Sequence, residues 1–177
     1  PMLRAMARLP LWRPQRVTAT LARAIGALAD RHQFYPVRLE GEAAVAAFEV
    51  TRTLPAYERG AILRNISNGI KGRREELGRL IALEAGKPIR DALVEVDRAT
   101  LTFRLGAEEA ERQTGEVIPL DLLPSSKDRV GITRRFPIGP IAAISPFNFP
   151  LNLAAHKLAP AIASGNTIVL KPPSKDP

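Results

Sequence analysis

The chain has 177 residues, a net charge of +8 and no cysteine. The lack of cysteine excludes disulfides, thiolate metal sites and a thiol nucleophile within this span. Its two histidines cannot hold a metal ion without carboxylates at ligand spacing, and the sequence offers none. No apolar run approaches the ~20 residues needed to cross a bilayer, so we expect a soluble protein with no membrane partner.

The excess positive charge is concentrated at the start of the chain. Residues 1–29 contain five arginines and no acidic residue, so this leader carries five of the eight excess charges. Clustered Lys and Arg on a folded surface indicate nucleic-acid binding, because they release counterions from phosphate backbones. Here the cluster lies in a leader, and we therefore expect no nucleic-acid partner.

Residues 1–40 form a leader whose structure the sequence leaves open. A stretch rich in Ala, Leu and Arg without acids is typical of an organelle transit peptide. A misassigned start site in a GC-rich reading frame produces the same composition. The sequence does not decide between a targeting segment and an artefact.

Residues 41–115 predict a helical region. A short Ala-rich helix is expected over 42–50, and a longer one from about Leu54 to Gly86 with a bend near Gly69 and Gly72, since glycine weakens a helix interior. The next helix, from Ile89 to about Thr114, has an apolar stripe at steps of three and four. Its members are Ile89, Leu93, Val96, Thr100, Phe103, Ala107 and Ala110.

Residues 116–136 predict a β arm. Two strands, 116–120 and 129–136, are joined by a polar stretch, and alternate residues of the second strand share a face. A β-rich ribbon exposed in a monomer usually pairs with another segment or chain. We therefore expect this arm to make contacts outside its own hairpin.

Residues 137–177 predict a strand, a loop, a helix and a second strand. The apolar run 138–144 stops at Ser145-Pro146, and Pro150 suits the first turn of a helix running to about Ala163. A second β-branched run, 167–170, follows. Parallel strands need such a crossover, and ligands of open α/β sheets bind where the carboxyl ends of the strands meet the loops.

A family resemblance is carried by several segments of this last region. They are Arg134–Pro140 (Arg-Arg-Phe-Pro-Ile-Gly-Pro), Ile144–Pro150 (Ile-Ser-Pro-Phe-Asn-Phe-Pro), His156–Ala161, Ser164–Thr167 and Val169–Pro172, together with Leu80–Ile89 upstream. In this order and spacing they resemble the aldehyde dehydrogenase superfamily. The nearest branches look to be the lactaldehyde, the semialdehyde and the non-phosphorylating glyceraldehyde-3-phosphate dehydrogenases. Members of that superfamily are much longer, so the resemblance implies an amino-terminal fragment.

The resemblance also implies a fold and an activity. The fold class is α/β, with leading helices, a β arm and the first βαβ unit of a Rossmann-like cofactor domain, truncated at residue 177. The expected reaction is NAD- or NADP-dependent oxidation of a small aldehyde to an acid through a cysteine thioester. We expect a cytoplasmic protein that is a homodimer or homotetramer at full length, with the β arm as the oligomerisation ribbon, and a fragment that is inactive alone.

Several residues match positions with roles in that superfamily. Asn148 matches the oxyanion-stabilising asparagine, although an Asn between prolines is also an ordinary turn residue. Ile144, Ser145, Pro146, Phe147 and Asn148 match the stretch along the nicotinamide side of the cofactor, with the alternative that Phe147 is a core aromatic. Lys171 matches the lysine at the adenosine ribose, and Ser174 stands where many NAD-preferring relatives carry glutamate.

Two arginines of the predicted helix 89–114 are candidate substrate ligands. By resemblance this helix borders the substrate tunnel, where Arg98, or Arg104, is placed to receive an anionic aldehyde through bidentate bonds. A solvated helix face is the alternative explanation for both. A second function class also stays open: a non-catalytic fragment or pseudoenzyme whose helices and arm serve assembly only.

Overall fold

The structure, a computed structural model, describes residues 35–173, and their side chains from Ala43 onward. Residues 1–34 and 174–177, on which most of the leader prediction and the prediction for Ser174 fall, lie outside this range. Five α-helices and four β-strands follow in chain order within the described part. They are α1 (Tyr35–Thr51), α2 (Ala56–Gly72), α3 (Arg74–Ala85), α4 (Ile89–Arg112), β1 (Val117–Pro119), β2 (Val130–Ile132), β3 (Ile141–Ile144), α5 (Pro150–Ala163) and β4 (Ile168–Lys171).

The α/β prediction is confirmed, with helix α4 at the centre of the core. Its buried positions recur at steps of three and four and pack against α2, α3 and α5. Phe103 is the largest fully buried side chain of the core. The cluster also contains Leu63, Ile70, Leu77, Ile81, Ala92, Val96, Ala99, Ala107, Ala110, Leu151, Ala155, Ala159 and Ala163.

The long helix expected to end at Gly86 is two helices. The break lies at Arg73, whose backbone leaves the helical region (φ −112°, ψ 22°), directly after Gly72. Helix α3 then ends at Gly86, which adopts the left-handed conformation (φ 64°) that glycine tolerates without a Cβ penalty. Arg74 binds Asp97 on α4 through two hydrogen bonds of 2.7 and 2.8 Å and thereby lowers the pKa of that carboxyl group.

Helix α1 begins at Tyr35, earlier than the expected start near residue 42. Pro36 does not prevent this, because proline is tolerated in the first turn, where its missing N–H has no intrahelical partner. The Thr167 hydroxyl donates a 2.7 Å hydrogen bond to the carbonyl of Ala44. This bond ties the first helix to the start of the last strand.

The arm is an antiparallel hairpin in which Ile118 pairs with Gly131. Its strands are shorter than predicted, although backbone bonds from Leu120 N to Arg129 O (3.1 Å) and from Thr133 N to Glu116 O (2.9 Å) continue the ladder at both ends. The second strand does not reach residue 136, because Glu116, just before β1, is the last residue that bonds to it.

Strands β3 and β4 are parallel and are joined by α5, as the sequence predicts. Strand β3 begins at Ile141 rather than at Ile138. Gly139 has a φ of 120°, which interrupts an extended strand, and its N–H donates to the side-chain oxygen of Asn166 (2.9 Å) instead of to a neighbouring strand. The segment before β3 is therefore a loop fixed from the far end of α5.

Candidate active site

The predicted cofactor loop lies at the carboxyl edge of the parallel pair. Ile144 is the last residue of β3 and stands opposite Lys171, the last residue of β4. The Ser145 N–H continues this pairing by donating to the Lys171 carbonyl (3.1 Å). The two loops that the sequence singled out therefore leave the sheet side by side.

The loop itself is largely accessible. Ser145 is buried, whereas Pro146, Phe147 and Asn148 are exposed, and Ile144 is 70% exposed. A buried serine fixes the start of the loop while the following side chains remain accessible from solvent. Such a surface suits binding of a flat or extended ligand along the strand end.

The side chain of Asn148 makes no hydrogen bond to any residue that the structure describes. An Asn that only shapes a turn usually bonds its own backbone two residues on. Asn148 instead presents a free carboxamide just before a helix, and its NH₂ group can donate without titrating. The geometry leaves this donor available to a ligand.

Lys171 is half-buried, and its ammonium donates to the Pro172 carbonyl at 3.3 Å. One weak contact leaves most of its three-donor capacity unused. Because Lys171 is the last residue of β4, its ammonium can donate to hydroxyls of a ligand at this edge. Ser174 lies outside the described residues, and its expected role remains a prediction.

The structure brings Arg98 to this site and leaves Arg104 away from it. The guanidinium carbon of Arg98, on α4, lies 5.9 Å from the centre of the Phe149 ring. Phe149 directly follows Asn148 in the sequence. Arg98 lines a cleft of about 290 Å³ together with Lys87, Phe149 and other residues of α4. Arg104 instead lies 3.9 Å from Glu108 on the same helix.

Two residues of the site were missed from the sequence. Glu95 of α4 is 1% exposed, and one of its oxygens accepts the backbone N–H groups of Leu151 and Asn152 at 2.9 and 3.1 Å. Its other oxygen accepts from Lys87 at 2.6 Å. In the sequence, Glu95 stands directly before Val96, a member of the predicted apolar stripe. This position beside the stripe was the only sign that the carboxylate is buried.

Charged groups hold both ends of α5. Glu95 binds its first turn, and Arg59 of α2 donates to the carbonyl of Ala163 in its last turn (2.9 Å). Each charge has the sign that the helix dipole favours at that end. The helix that follows the Asn148 loop is therefore fixed against the helical region rather than by the two-stranded sheet.

Comparison with known proteins decides the family. The model of the aldehyde dehydrogenase family matches residues 35–177. The chain belongs to the aldehyde dehydrogenase family. The resemblance inferred from the Ser145–Pro150 motif and its distance from Lys171 is therefore confirmed.

Individual relatives agree with this assignment. The chain is 52% identical over 129 residues to the lactaldehyde dehydrogenase of Methanocaldococcus jannaschii, covering 73% of this chain and 27% of that protein. Among solved structures it is similar to aldehyde dehydrogenase 21 of Physcomitrella patens in complex with the reaction product succinate (50% identity, TM-score 0.75, covering 77% of this chain and 28% of that one). It is also similar to the NADP complex of a glyceraldehyde-3-phosphate dehydrogenase of M. jannaschii (45% identity, TM-score 0.75, covering 89% of this chain and 32% of that one).

The chain thus spans about a third or less of the length of these relatives.

Among the described residues, no three His, Cys, Asp or Glu side chains lie close enough together to hold a metal ion. No helix between residues 35 and 173 is long and apolar enough to cross a membrane.

Proposed function

We propose that this chain is the amino-terminal part of an NAD- or NADP-dependent aldehyde dehydrogenase that oxidises an aldehyde to a carboxylic acid through a thioester. The observation that carries the proposal is the free carboxamide of Asn148 at the carboxyl edge of the parallel strands. The nucleophilic cysteine and the glutamate base lie outside residues 1–177 in this proposal, since the chain has no cysteine. Replacing Asn148 by alanine in the full-length protein tests the assignment through its effect on kcat.

In the proposed reaction Asn148 acts on the substrate oxygen. Attack by a thiolate on the aldehyde carbonyl places negative charge on that oxygen, and a preorganised N–H donor stabilises the charge as it develops. A carboxamide is suited to this role because it donates at every pH and carries no charge of its own. The exposed position of Asn148 leaves room for the substrate and for a second donor.

The edge formed by the Ile144–Phe147 stretch and Lys171 is the proposed cofactor surface. When bound, NAD or NADP accepts the hydride released as the thioester forms. Exposed loop atoms after β3 offer contacts to the nicotinamide side, and the Lys171 ammonium offers donors to ribose hydroxyls. The NADP complex of the M. jannaschii relative supports this use of the fold.

Ser174 sets part of the cofactor preference in this proposal. A hydroxyl neither repels the 2′-phosphate of NADP⁺ nor fills its space, so the full-length enzyme is expected to use NADP⁺ well. Ser174→Glu places a carboxylate there, and two like charges about 4 Å apart in water repel by about 1 kcal/mol, which shifts relative kcat/KM toward NAD⁺ by about fivefold.

Steady-state kcat/KM for both cofactors measures this shift. Ser174→Gln is the matched control, because it adds the same bulk without the charge and should leave the ratio of the two values nearly unchanged. Strong discrimination of the wild type against NADP⁺, or an unmoved ratio in Ser174→Glu, would contradict the role given to Ser174.

Arg98 is the proposed receptor for an anionic group on the aldehyde. Its guanidinium forms no ion pair with a described residue and borders the cleft beside Phe149. The succinate bound to the P. patens relative is an anion, and glyceraldehyde 3-phosphate carries a phosphate. We therefore propose small anionic aldehydes as the substrate class, with neutral lactaldehyde as the comparison.

The substitution Arg98→Gln is expected to raise KM for an anionic aldehyde such as succinic semialdehyde by roughly 10- to 100-fold, because charged hydrogen bonds contribute about 1.5–3 kcal/mol. KM for lactaldehyde should change little. Arg104→Gln, on the same helix, is the control and should affect neither substrate. No effect of Arg98→Gln on either aldehyde would show that Arg98 is only a solvated residue of the helix face, and equal increases in KM for both aldehydes would contradict its role in binding the anionic group.

We further propose that the β1–β2 arm joins copies of the full-length protein into dimers or tetramers. Val117, Leu122, Val130 and Ile132 are exposed on this narrow hairpin, and burying them against another chain would remove apolar surface from water. The division into a helical region, an arm and a truncated βαβ unit, and a cytoplasmic location, remain parts of the proposal.

A further inference from the structure

Helix α5 begins without a cap from its own loop. Phe149 occupies the N-cap position, and no side chain of the loop accepts a hydrogen bond from the first turn. The N–H groups of Leu151 and Asn152 bond instead to Glu95, which lies more than fifty residues earlier in the chain. The capping group therefore comes from the helical core.

The carboxylate of Glu95 is held on both sides. While one oxygen caps α5, the other accepts from the ammonium of Lys87, whose side chain is 18% exposed. Buried charges are tolerated when they are paired and hydrogen-bonded, as here. Glu95 thus has little freedom to move, and neither has the first turn of α5.

Lys87 extends this network to the residue after Asn148. Its ammonium lies 3.7 Å from the centre of the Phe149 ring, well within cation–π range. The backbone on the carboxyl side of Asn148 is thereby fixed twice, through the ring of Phe149 and through the first turn of α5. On its amino side the loop is fixed by the pairing of Ser145 with Lys171.

The external cap also keeps Asn148 available. Asparagine is one of the preferred N-cap residues, because its side-chain oxygen accepts from the first turn of a helix. Since Glu95 already satisfies those N–H groups, they do not draw in the Asn148 carboxamide.

We propose that Glu95, together with Lys87, is a positioning residue that holds Asn148 in its donor geometry. The proposal rests on the oxyanion role of Asn148 given above. It assigns no contact with substrate to Glu95. The effect of Glu95 on turnover is transmitted through Asn148, and this coupling distinguishes a positioning role from a general contribution to folding.

A double-mutant cycle in the full-length enzyme tests the coupling. Glu95→Gln keeps one acceptor oxygen but removes the charge and turns an amide NH₂ toward Lys87. A misplaced catalytic group loses about 10- to 100-fold in rate, so kcat should fall by that amount while KM for the cofactor changes little. In the Asn148→Ala background, the same substitution should change kcat by less than about twofold, because the two residues act as one unit.

Glu109→Gln is the matched control, since Glu109 is an exposed glutamate of the same helix that pairs with Arg112. If Glu95→Gln yields no folded protein, Lys87→Met replaces it in the same double-mutant cycle. Lys87→Arg should then have a kcat within about twofold of the wild-type value, because arginine keeps both the charge and the cation–π contact. Equal losses in the wild-type and Asn148→Ala backgrounds would overturn the positioning role. A normal kcat for Asn148→Ala itself would instead overturn the proposed function.

Discussion

Replacing Asn148 by alanine in the full-length enzyme is expected to lower kcat by about 10²–10³, the usual cost of removing one oxyanion donor. The substitution removes a carboxamide that is exposed and makes no hydrogen bond to the described residues. It therefore takes away transition-state stabilisation without breaking a contact that supports the fold. Initial rates at saturating aldehyde and cofactor measure the effect.

Two further measurements separate catalysis from folding in this variant. The dissociation constants for NAD⁺ and NADP⁺ should stay within about twofold of the wild-type values, because a change in kcat without a change in ground-state binding is the kinetic signature of a transition-state contact. Asn65→Ala, which removes an exposed asparagine of α2, is the control and should retain full activity. A wild-type kcat for Asn148→Ala would reduce Asn148 to a turn residue.

The strand–helix–strand unit was predictable because its signals are local. The apolar run ending at Ser145-Pro146, Pro150 at the helix start and Gly165 with φ 79° after the helix each act over a few residues. Strand ends were less predictable. Ile138 lies outside β3 because the Gly139 N–H bonds to the side chain of Asn166, 27 residues later in the chain. The periodicity of apolar residues does not reveal such a contact.

The stripe on α4 shows a similar division. Val96, Phe103 and Ala107 are buried as expected, whereas Ile89, the first member of the stripe, is 47% exposed. The buried face is broader than the stripe, and it includes Glu95. A pattern of apolar residues assigns a carboxylate to solvent by default, so neither the burial of Glu95 nor its bonds to α5 could be predicted from the sequence.

The roles of Asn148 and Lys171 came from family resemblance and the structure supplies their setting. It places Asn148 in the loop after β3 and Lys171 at the end of the neighbouring strand β4, and it leaves the Asn148 carboxamide accessible.

We propose that this segment supplies an oxyanion donor and part of a cofactor site but no nucleophile. The decisive experiment compares the 177-residue chain with the full-length protein, each incubated with NAD⁺ or NADP⁺ and a panel of aldehydes while NAD(P)H absorbance is followed. We expect turnover by the full-length protein and its loss after iodoacetamide alkylates a cysteine outside residues 1–177. The chain alone should produce no NAD(P)H above blank. Robust turnover by the chain alone would contradict the claim, and a full-length protein without turnover would favour the non-catalytic assembly role.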